Sequence, residues 1–284
     1  MLHFSENIGI LYHGGEIVSI FEAFILGVVQ GLTEFLPVSS SGHLLVLQKL
    51  FGISAEGDGM LVFNILMHVG TLAAVCVVYW KRIWNMVMHP FTSELKWLVV
   101  ATIPAVIAAL AFDFDDAFEG KFIIWSFYLT SIVLIASGWI GNQRRMQKKY
   151  HKDVRWYDAI AMGVMQAIAI LPGLSRSGST IAGGLTSGLT RKRAADFAFL
   201  MSIPAILGSV VLEGKDILEL GTSSAVSGTA IAVGVIASMV FGFLAIKLML
   251  WVVKKISLNW FALYTFLLGT FLLLDKFVFK MFMA

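Results

Sequence analysis

The sequence predicts an all-α polytopic membrane protein: an inverted-topology repeat of six transmembrane helices plus two re-entrant helical hairpins. Of its 284 residues, 58% are hydrophobic and 14% are charged, whereas a soluble domain is about half apolar and about a quarter charged. Two apolar stretches are each broken by a Leu-Pro pair followed by serine and glycine, and basic residues are concentrated between the apolar segments. Residues 1–284 are therefore expected to form a single membrane domain.

The first broken stretch, Gly27 to His43, reads GVVQGLTEFLPVSSSGH. Polar and ionisable groups at membrane depth are costly, so their presence here indicates a functional site. Pro37 removes a backbone donor and disfavours helical geometry at Leu36, which breaks the helix. A break at membrane depth is tolerated only where protein or a watery cavity satisfies the backbone. We interpret the region as a re-entrant hairpin with halves at 17–36 and 39–52.

The second broken stretch, Gly163 to Thr180, reads GVMQAIAILPGLSRSGST and repeats the first. The matched pairs are Gly27 with Gly163, Gln30 with Gln166, Leu36-Pro37 with Leu171-Pro172, and Ser41-Gly42 with Ser177-Gly178. Interrupted hydrophobic segments in corresponding halves indicate a binding site at the repeat interface. We expect a first repeat at 17–141 and a second at 156–279, each a hairpin plus three spans, with the second hairpin at 156–190.

Six further apolar segments approach or exceed the roughly 20 residues that cross a hydrocarbon core. The predicted spans are 60–80, 97–112, 122–141, 195–213, 226–253 and 257–279. The basic positions 81–82, 142–155, 191–193 and 254–255 are predicted to be cytoplasmic by the positive-inside rule, and the acidic 113–120 loop to be outside. The two hairpins then enter from opposite sides, so the repeats are inverted.

Within the span 60–80, Asn64, His68 and Thr71 recur at helical spacing and share one face. That face is expected to look into the bundle. For His68 two interpretations stay open, a helix–helix hydrogen bond or a part of the site. Cys76 is the only cysteine, which excludes an intramolecular disulfide and a cysteine-based metal cluster; it is expected to be a buried small hydrophobe.

The two loop tips are expected to meet. The polar residues they would bring together are Glu34, Ser39, Ser40, Ser41, His43, Ser175, Arg176, Ser177, Ser179 and Thr180. The Arg176 guanidinium is always charged and binds an oxyanion bidentately. It lies between serines and glycines at the start of a predicted helix, whose N-terminal amides also favour anions. This pattern predicts a phosphate clamp.

The first loop offers a serine hydroxyl that could attack phosphorus, with Glu34 and His43 as bases to activate it. Alternatively, Glu34 holds a divalent cation that bridges the phosphates. The spacing does not decide between base and metal ligand. Gln30 and Gln166 are interpreted either as ligands of the site or as groups that satisfy the broken backbone.

These motifs resemble the undecaprenyl-diphosphate phosphatase family, the bacterial bacitracin-resistance membrane proteins. The residues that carry the resemblance are LGVVQGLTEFLPVSSSGH at 26–43 and LPGLSRSGSTIAGG at 171–184. The resemblance implies hydrolysis of undecaprenyl diphosphate to undecaprenyl phosphate and inorganic phosphate, which recycles the lipid carrier for peptidoglycan synthesis and confers bacitracin resistance. It also implies an inner-membrane location with the active-site cavity open to the periplasm.

The resemblance further implies roles for individual residues. Ser40 matches the serine proposed as nucleophile, with Ser39 beside it; Glu34 matches the acidic residue, for base or metal duty; and His43 is a candidate acid or base. The residues that match or flank the diphosphate-binding positions are Ser41, Ser175, Arg176, Ser177, Thr180 and Gln30. The family depends on a divalent cation, usually Mg²⁺ or Ca²⁺. Many members have Glu where this chain has Gln30, so this chain has one carboxylate, Glu34, where those members have two.

Other functions compete with hydrolysis. A transporter or flippase of a lipid phosphate or another anion is the main alternative, because inverted repeats with broken helices are common in transporters. A channel is weaker, since an arginine clamp would hold an anion too tightly for fast conduction. The net charge of +3 without a basic stripe and interleaved aromatics argues against a nucleic-acid partner. Gly228, Gly234 and Gly242 are expected to pack helices within one chain or across a homodimer.

Overall fold

The computed structural model describes residues 18–53, 58–111, 122–220 and 226–279. Within these residues the chain forms ten α-helices, and a short π-helical segment, Asp275–Phe279, follows the last of them. The helices are α1 (Ile20–Phe35), α2 (Ser40–Leu50), α3 (Asp58–Met88), α4 (Leu95–Ala111), α5 (Ile123–Met146), α6 (Trp156–Ile168), α7 (Arg176–Ser187), α8 (Arg191–Leu220), α9 (Gly228–Lys255) and α10 (Asn259–Leu274). The predicted all-helical architecture is confirmed.

Several of these helices have the length and apolar composition of membrane spans, so the protein is a multi-pass membrane protein. The segments within the described residues that are long and apolar enough to cross a bilayer are Gly59–Met88, Ile123–Met146, Arg191–Leu212, Gly228–Lys255 and Asn259–Val278. Leu95–Ala111 is a shorter apolar helix. Large apolar side chains, such as Trp84, Leu110 and Trp139, are exposed around the bundle, as a lipid-facing surface requires.

One expectation about α3 was wrong. Cys76 was expected to be buried and is instead exposed on this helix. The helix continues past Lys81 and Arg82 to Met88, with non-helical dihedral angles at Tyr79. The end of the membrane span at Lys81 and Arg82 stays a prediction. The acidic 113–120 loop and residues 1–16 lie outside the described residues.

The two proline breaks form as the local sequence dictates. Leu36 ends α1 in an extended conformation with ψ 143°, as the following Pro37 requires. A serine then caps the next helix: the Ser39 hydroxyl accepts from the backbone N–H of Gly42. In the second half, Ser175 caps α7 in the same way through Gly178. Each break therefore joins two short helices whose termini lie in the interior.

Glycines let the first helix of each half approach a neighbour closely. Gly31 on α1 lies against α9, where an added Cβ would come within 2.6 Å of the Ser238 carbonyl oxygen. Gly163 on α6 lies against α4, where a Cβ would come within 2.5 Å of the Ala101 carbonyl oxygen. Close backbone approach through small residues is the usual helix contact in membranes. Gly234 and Gly242 pack within the chain, and a Cβ at Gly228 would meet nothing within 4 Å.

This packing predicts a stability effect. Gly31→Ala is expected to destabilise the protein by about 1–3 kcal/mol, because overpacking against backbone atoms cannot be relieved by a side-chain rotation. A thermal unfolding scan in detergent would measure the change. Gly208→Ala is the matched control, since a Cβ at Gly208 would meet nothing within 4 Å. An equal effect of both substitutions would contradict the close α1–α9 contact.

Candidate functional site

The two loop tips meet, as the repeat predicted. The backbone N–H of Gly173 donates to Ser41 Oγ at 3.2 Å, and Ser177 Oγ donates to the Leu36 carbonyl at 2.9 Å. A third contact joins Arg176 to Glu34. Gly173 has φ +85°, and a Cβ there would come within 2.8 Å of Ser126 Cβ, so glycine alone fits this turn. Three contacts thus join positions about 130 to 140 residues apart.

Glu34 is the centre of this junction. Its side chain is only 3% exposed, and its two carboxylate oxygens serve different partners. Oε2 accepts from Ser40 Oγ at 2.6 Å and from Gln30 Nε2 at 3.0 Å. Oε1 accepts from Arg176 Nη2. A buried carboxylate needs such partners to stay ionised. The short hydrogen bond from Ser40 points the hydroxyl proton towards the Glu34 carboxylate, which could accept it as a base.

Arg176 joins the second loop to this carboxylate and still faces an open space. Its side chain retains 23% exposure, although Glu34 is almost fully enclosed. A guanidinium has five N–H donors, and one of its nitrogens, Nη2, bonds to Glu34. Within the described residues no other hydrogen bond from this guanidinium is seen, which leaves donors for an oxyanion.

The remaining hydroxyls of the second loop mostly shape the chain. Ser175 N–H donates to Thr130 Oγ1 on α5 at 3.0 Å, while Thr180 Oγ1 donates to the carbonyls of Arg176 and Ser177 in its own helix. Ser175 Oγ and Ser177 Oγ lie 3.3 Å apart. Thr130, 45 positions from its partner, was not singled out from the sequence, and no local motif marks it.

His43 lies on α2 but points towards other helices. Its Nδ1 is 2.6 Å from the Ser39 carbonyl oxygen, and its Nε2 is 2.6 Å from the hydroxyl of Tyr264 on α10. Its ring is nearly parallel to the Tyr264 ring and meets Phe127 edge-on. In the described part of the chain it makes no hydrogen bond to the groups around Glu34. Tyr264 is a functional candidate that the sequence patterns did not reveal.

His68 approaches the carboxylate from α3. Its Nε2 lies 3.8 Å from Glu34 Oε2, and its Nδ1 is 2.8 Å from the Asn64 carbonyl oxygen. Asn64 Oδ1 in turn accepts from Gln48 Nε2 on α2 at 3.0 Å. Thr71 is fully buried on the same face. The predicted inward face of α3 is therefore confirmed, and it places His68 beside the site.

The paired glutamines do not cap the broken backbone. Gln30 donates to Glu34 through Nε2, and its Oε1 is buried without a partner among the described residues. Neither amide atom of Gln166 has a partner there, nor does Ser179 Oγ. Buried polar atoms of this kind usually hold ordered water or a ligand.

The oxygen donors of the site fit a divalent cation with few protein ligands. The Glu34 carboxylate and the unpartnered Gln30 Oε1 are hard oxygen ligands of the kind that Mg²⁺ and Ca²⁺ prefer. Among the described residues, no three His, Cys, Asp or Glu side chains cluster to form a full metal site. Phosphate oxygens and water would have to complete the coordination, which is common for Mg²⁺.

Comparison with known proteins agrees with these features. The family described as bacitracin resistance protein BacA matches residues 23–271. An undecaprenyl-diphosphatase of Carboxydothermus hydrogenoformans is 40% identical over 259 residues, covering 89% of this chain and 96% of that protein. Undecaprenyl-diphosphatase 4 of Bacillus thuringiensis subsp. konkukian is 39% identical over 259 residues, covering 90% and 97%. An undecaprenyl-diphosphatase of Methanosphaera stadtmanae is 36% identical over 276 residues, covering 89% and 96%. The resemblance carried by the two motifs is confirmed, and the chain belongs to the bacitracin resistance protein BacA family.

Proposed function

We propose that this protein is an integral-membrane phosphatase that hydrolyses undecaprenyl diphosphate to undecaprenyl phosphate and inorganic phosphate. One observation carries the proposal: the Ser40 hydroxyl donates at 2.6 Å to a carboxylate, Glu34, that also binds Arg176. A candidate nucleophile (Ser40), a candidate base (Glu34) and a guanidinium that can bind an anion (Arg176) thus lie in contact. The relatives named undecaprenyl-diphosphatase support the same substrate. Hydrolysis would recycle the lipid carrier for peptidoglycan synthesis and so give bacitracin resistance.

In the proposed reaction Ser40 Oγ attacks the terminal phosphorus as Glu34 accepts its proton. The bond from that phosphorus to the bridging oxygen breaks, and undecaprenyl phosphate leaves with the electron pair. A water then attacks the phosphoserine and the bond from phosphorus to Oγ breaks. Glu34 returns its proton to Oγ, and inorganic phosphate departs with the protons of the water. The hydrogen bond between Ser40 and Glu34 already has the direction that the first proton transfer needs. Direct attack by a water activated by Glu34 is the alternative.

Arg176 would stabilise the charge that develops on the phosphoryl oxygens. It lies at the first turn of α7, where the helix N-terminus also favours an anion. On this proposal, Arg176 exchanges part of its contact with Glu34 for the phosphate oxygens. The exchange would leave the carboxylate freer to act as a base or as a metal ligand.

We further propose a divalent cation, Mg²⁺ or Ca²⁺, held by Glu34 and Gln30. Such a cation would neutralise phosphate charge and polarise the bond to be broken. Two observations support this assignment: the Gln30 amide contacts the Glu34 carboxylate through Nε2, and its Oε1 is buried without a partner among the described residues. A glutamine oxygen binds a cation but accepts no proton at neutral pH, so Glu34 is the sole carboxylate base of the proposed scheme.

We also propose six spans and two re-entrant hairpins in an inverted repeat, in the bacterial inner membrane with the cavity open to the periplasm. Helices α1 and α2 have 16 and 11 residues, which makes each shorter than about 25 Å and therefore shorter than the hydrocarbon core. The packing of α1 on α9 and of α6 on α4 supports the repeat, because these pairs are equivalent in the two halves. A homodimer stays a prediction.

The test is phosphate release from undecaprenyl diphosphate by the purified protein in detergent. Turnover is expected without any membrane gradient, and a chelator is expected to lower it at least about tenfold, with recovery on adding Mg²⁺ or Ca²⁺. Release that a chelator leaves unchanged would contradict the cation. No release under any metal condition would contradict the enzyme and favour a transporter or flippase of a lipid phosphate.

A further inference from the structure

We propose that His43 and Tyr264 are positioning residues: together they hold a strained turn at Ser39 that sets the Ser40 hydroxyl against Glu34. This inference rests on the proposed function and extends it to a residue outside both motifs. It gives His43 a role different from the acid or base that the family resemblance implies.

The strained turn is the starting point. Ser39 has φ 73° and ψ 100°, a region that residues with a Cβ rarely adopt. Such a conformation persists only where the surrounding contacts enforce it, and it is concentrated at functional sites. The Ser39 carbonyl belongs to the peptide plane that it shares with Ser40. Because this plane is rigid, whatever fixes the carbonyl also fixes the backbone nitrogen and Cα of Ser40.

His43 fixes that carbonyl. The Ser39 carbonyl oxygen accepts from the backbone N–H of His43 at 3.3 Å and lies 2.6 Å from its ring Nδ1. A carbonyl oxygen only accepts hydrogen bonds, so Nδ1 carries the proton. In the neutral ring Nε2 then has a lone pair and accepts from the Tyr264 hydroxyl, 2.6 Å away.

Both ring nitrogens of His43 are therefore occupied, Nδ1 by the Ser39 carbonyl and Nε2 by the Tyr264 hydroxyl. Phe127 on α5 also makes an edge-on contact with the His43 ring. Tyr264 lies on α10, 221 positions from His43, so these hydrogen bonds connect the loop to another part of the bundle. Tyr264 itself is 45% exposed at the protein surface. The hydrogen bonds from Tyr264 through His43 thus support the turn at Ser39. This turn then positions the hydroxyl of the next residue, Ser40, against Glu34.

The test compares Tyr264→Phe with Tyr128→Phe. Each substitution removes one hydroxyl that joins α10 to another helix. The Tyr264 hydroxyl bonds to His43 on α2, and the hydroxyl of Tyr128 on α5 lies 3.1 Å from Thr270 Oγ1 on α10. Tyr264→Phe is expected to lower kcat about tenfold with little change in KM, because misplacing a reacting group by a fraction of an ångström slows the chemical step. Tyr128→Phe is expected to leave kcat within about twofold. Thermal unfolding should place both variants near the wild type.

A glycine at position 39 tests whether His43 and Tyr264 act by holding the turn at Ser39. Glycine adopts a positive φ without steric cost, so the turn would need less support. In a Ser39→Gly background the further loss of kcat caused by Tyr264→Phe is expected to shrink to less than about threefold. An undiminished tenfold loss in that background, an effect on KM alone, or equal effects of the two tyrosine substitutions would each overturn the proposal. Failure of the wild type to release phosphate would instead contradict the proposed function.

Discussion

Ser40→Ala is expected to lower phosphate release at least about a thousandfold, the loss typical of removing a nucleophile. Its Oγ donates to Glu34 at 2.6 Å, so the substitution removes the attacking atom together with its activated proton. The fold should survive, because Glu34 keeps its contacts with Gln30 and Arg176. Steady-state release of inorganic phosphate in detergent measures the rate, and thermal unfolding measures stability.

Thr33→Val is the matched control for this substitution. Thr33 is adjacent to Glu34, but its hydroxyl donates to the Val29 carbonyl of its own helix, so losing it should leave turnover within about twofold. Rapid quenching of the wild type with substrate labelled at the terminal phosphate should also trap label on Ser40. Full activity in Ser40→Ala would exclude the phosphoserine and leave direct attack by water.

Much of the site followed from the sequence because its parts are local. The Leu-Pro pairs break helices by a rule that needs no tertiary information, and the serines after them are capping residues. The repeat then predicted that the two breaks meet. The contact of Gly173 with Ser41 and that of Ser177 with Leu36 confirm this meeting.

The remaining features depend on side-chain directions that spacing does not encode. His43 is three residues from Ser40 and would share its helix face, yet its ring turns to Tyr264 on α10. Thr130 and Tyr264 lie on long apolar helices, where a single polar residue is common and a partner far along the chain leaves no periodic signal. Likewise, the helix that contains the predicted span 60–80 continues to Met88. The apolar pattern predicts only the span, and basic residues such as Arg82 are compatible with a helical backbone after it.

Arg176→Ala is expected to lower turnover about 10³- to 10⁵-fold, the range found when an arginine that stabilises phosphoryl transfer is removed. The substitution also leaves the Glu34 carboxylate buried without its positively charged partner, the Arg176 guanidinium. Breaking a buried ion pair costs about 3–5 kcal/mol, and the 23% exposure of Arg176 favours the lower end. A fall in activity alone would therefore be ambiguous between lost catalysis and lost stability.

Arg176→Lys separates the two effects. Lysine keeps the positive charge for Glu34 but has no planar fork for phosphate oxygens, so stability should largely recover while turnover stays at least about a hundredfold low. Arg193→Lys is the control, because Arg193 also pairs with a glutamate, Glu94, which keeps Arg82 at 2.5 Å. It should change stability slightly and leave turnover near the wild type. If Arg176→Lys were as active as the wild type, Arg176 would be a structural partner of Glu34, and the phosphate clamp would be wrong.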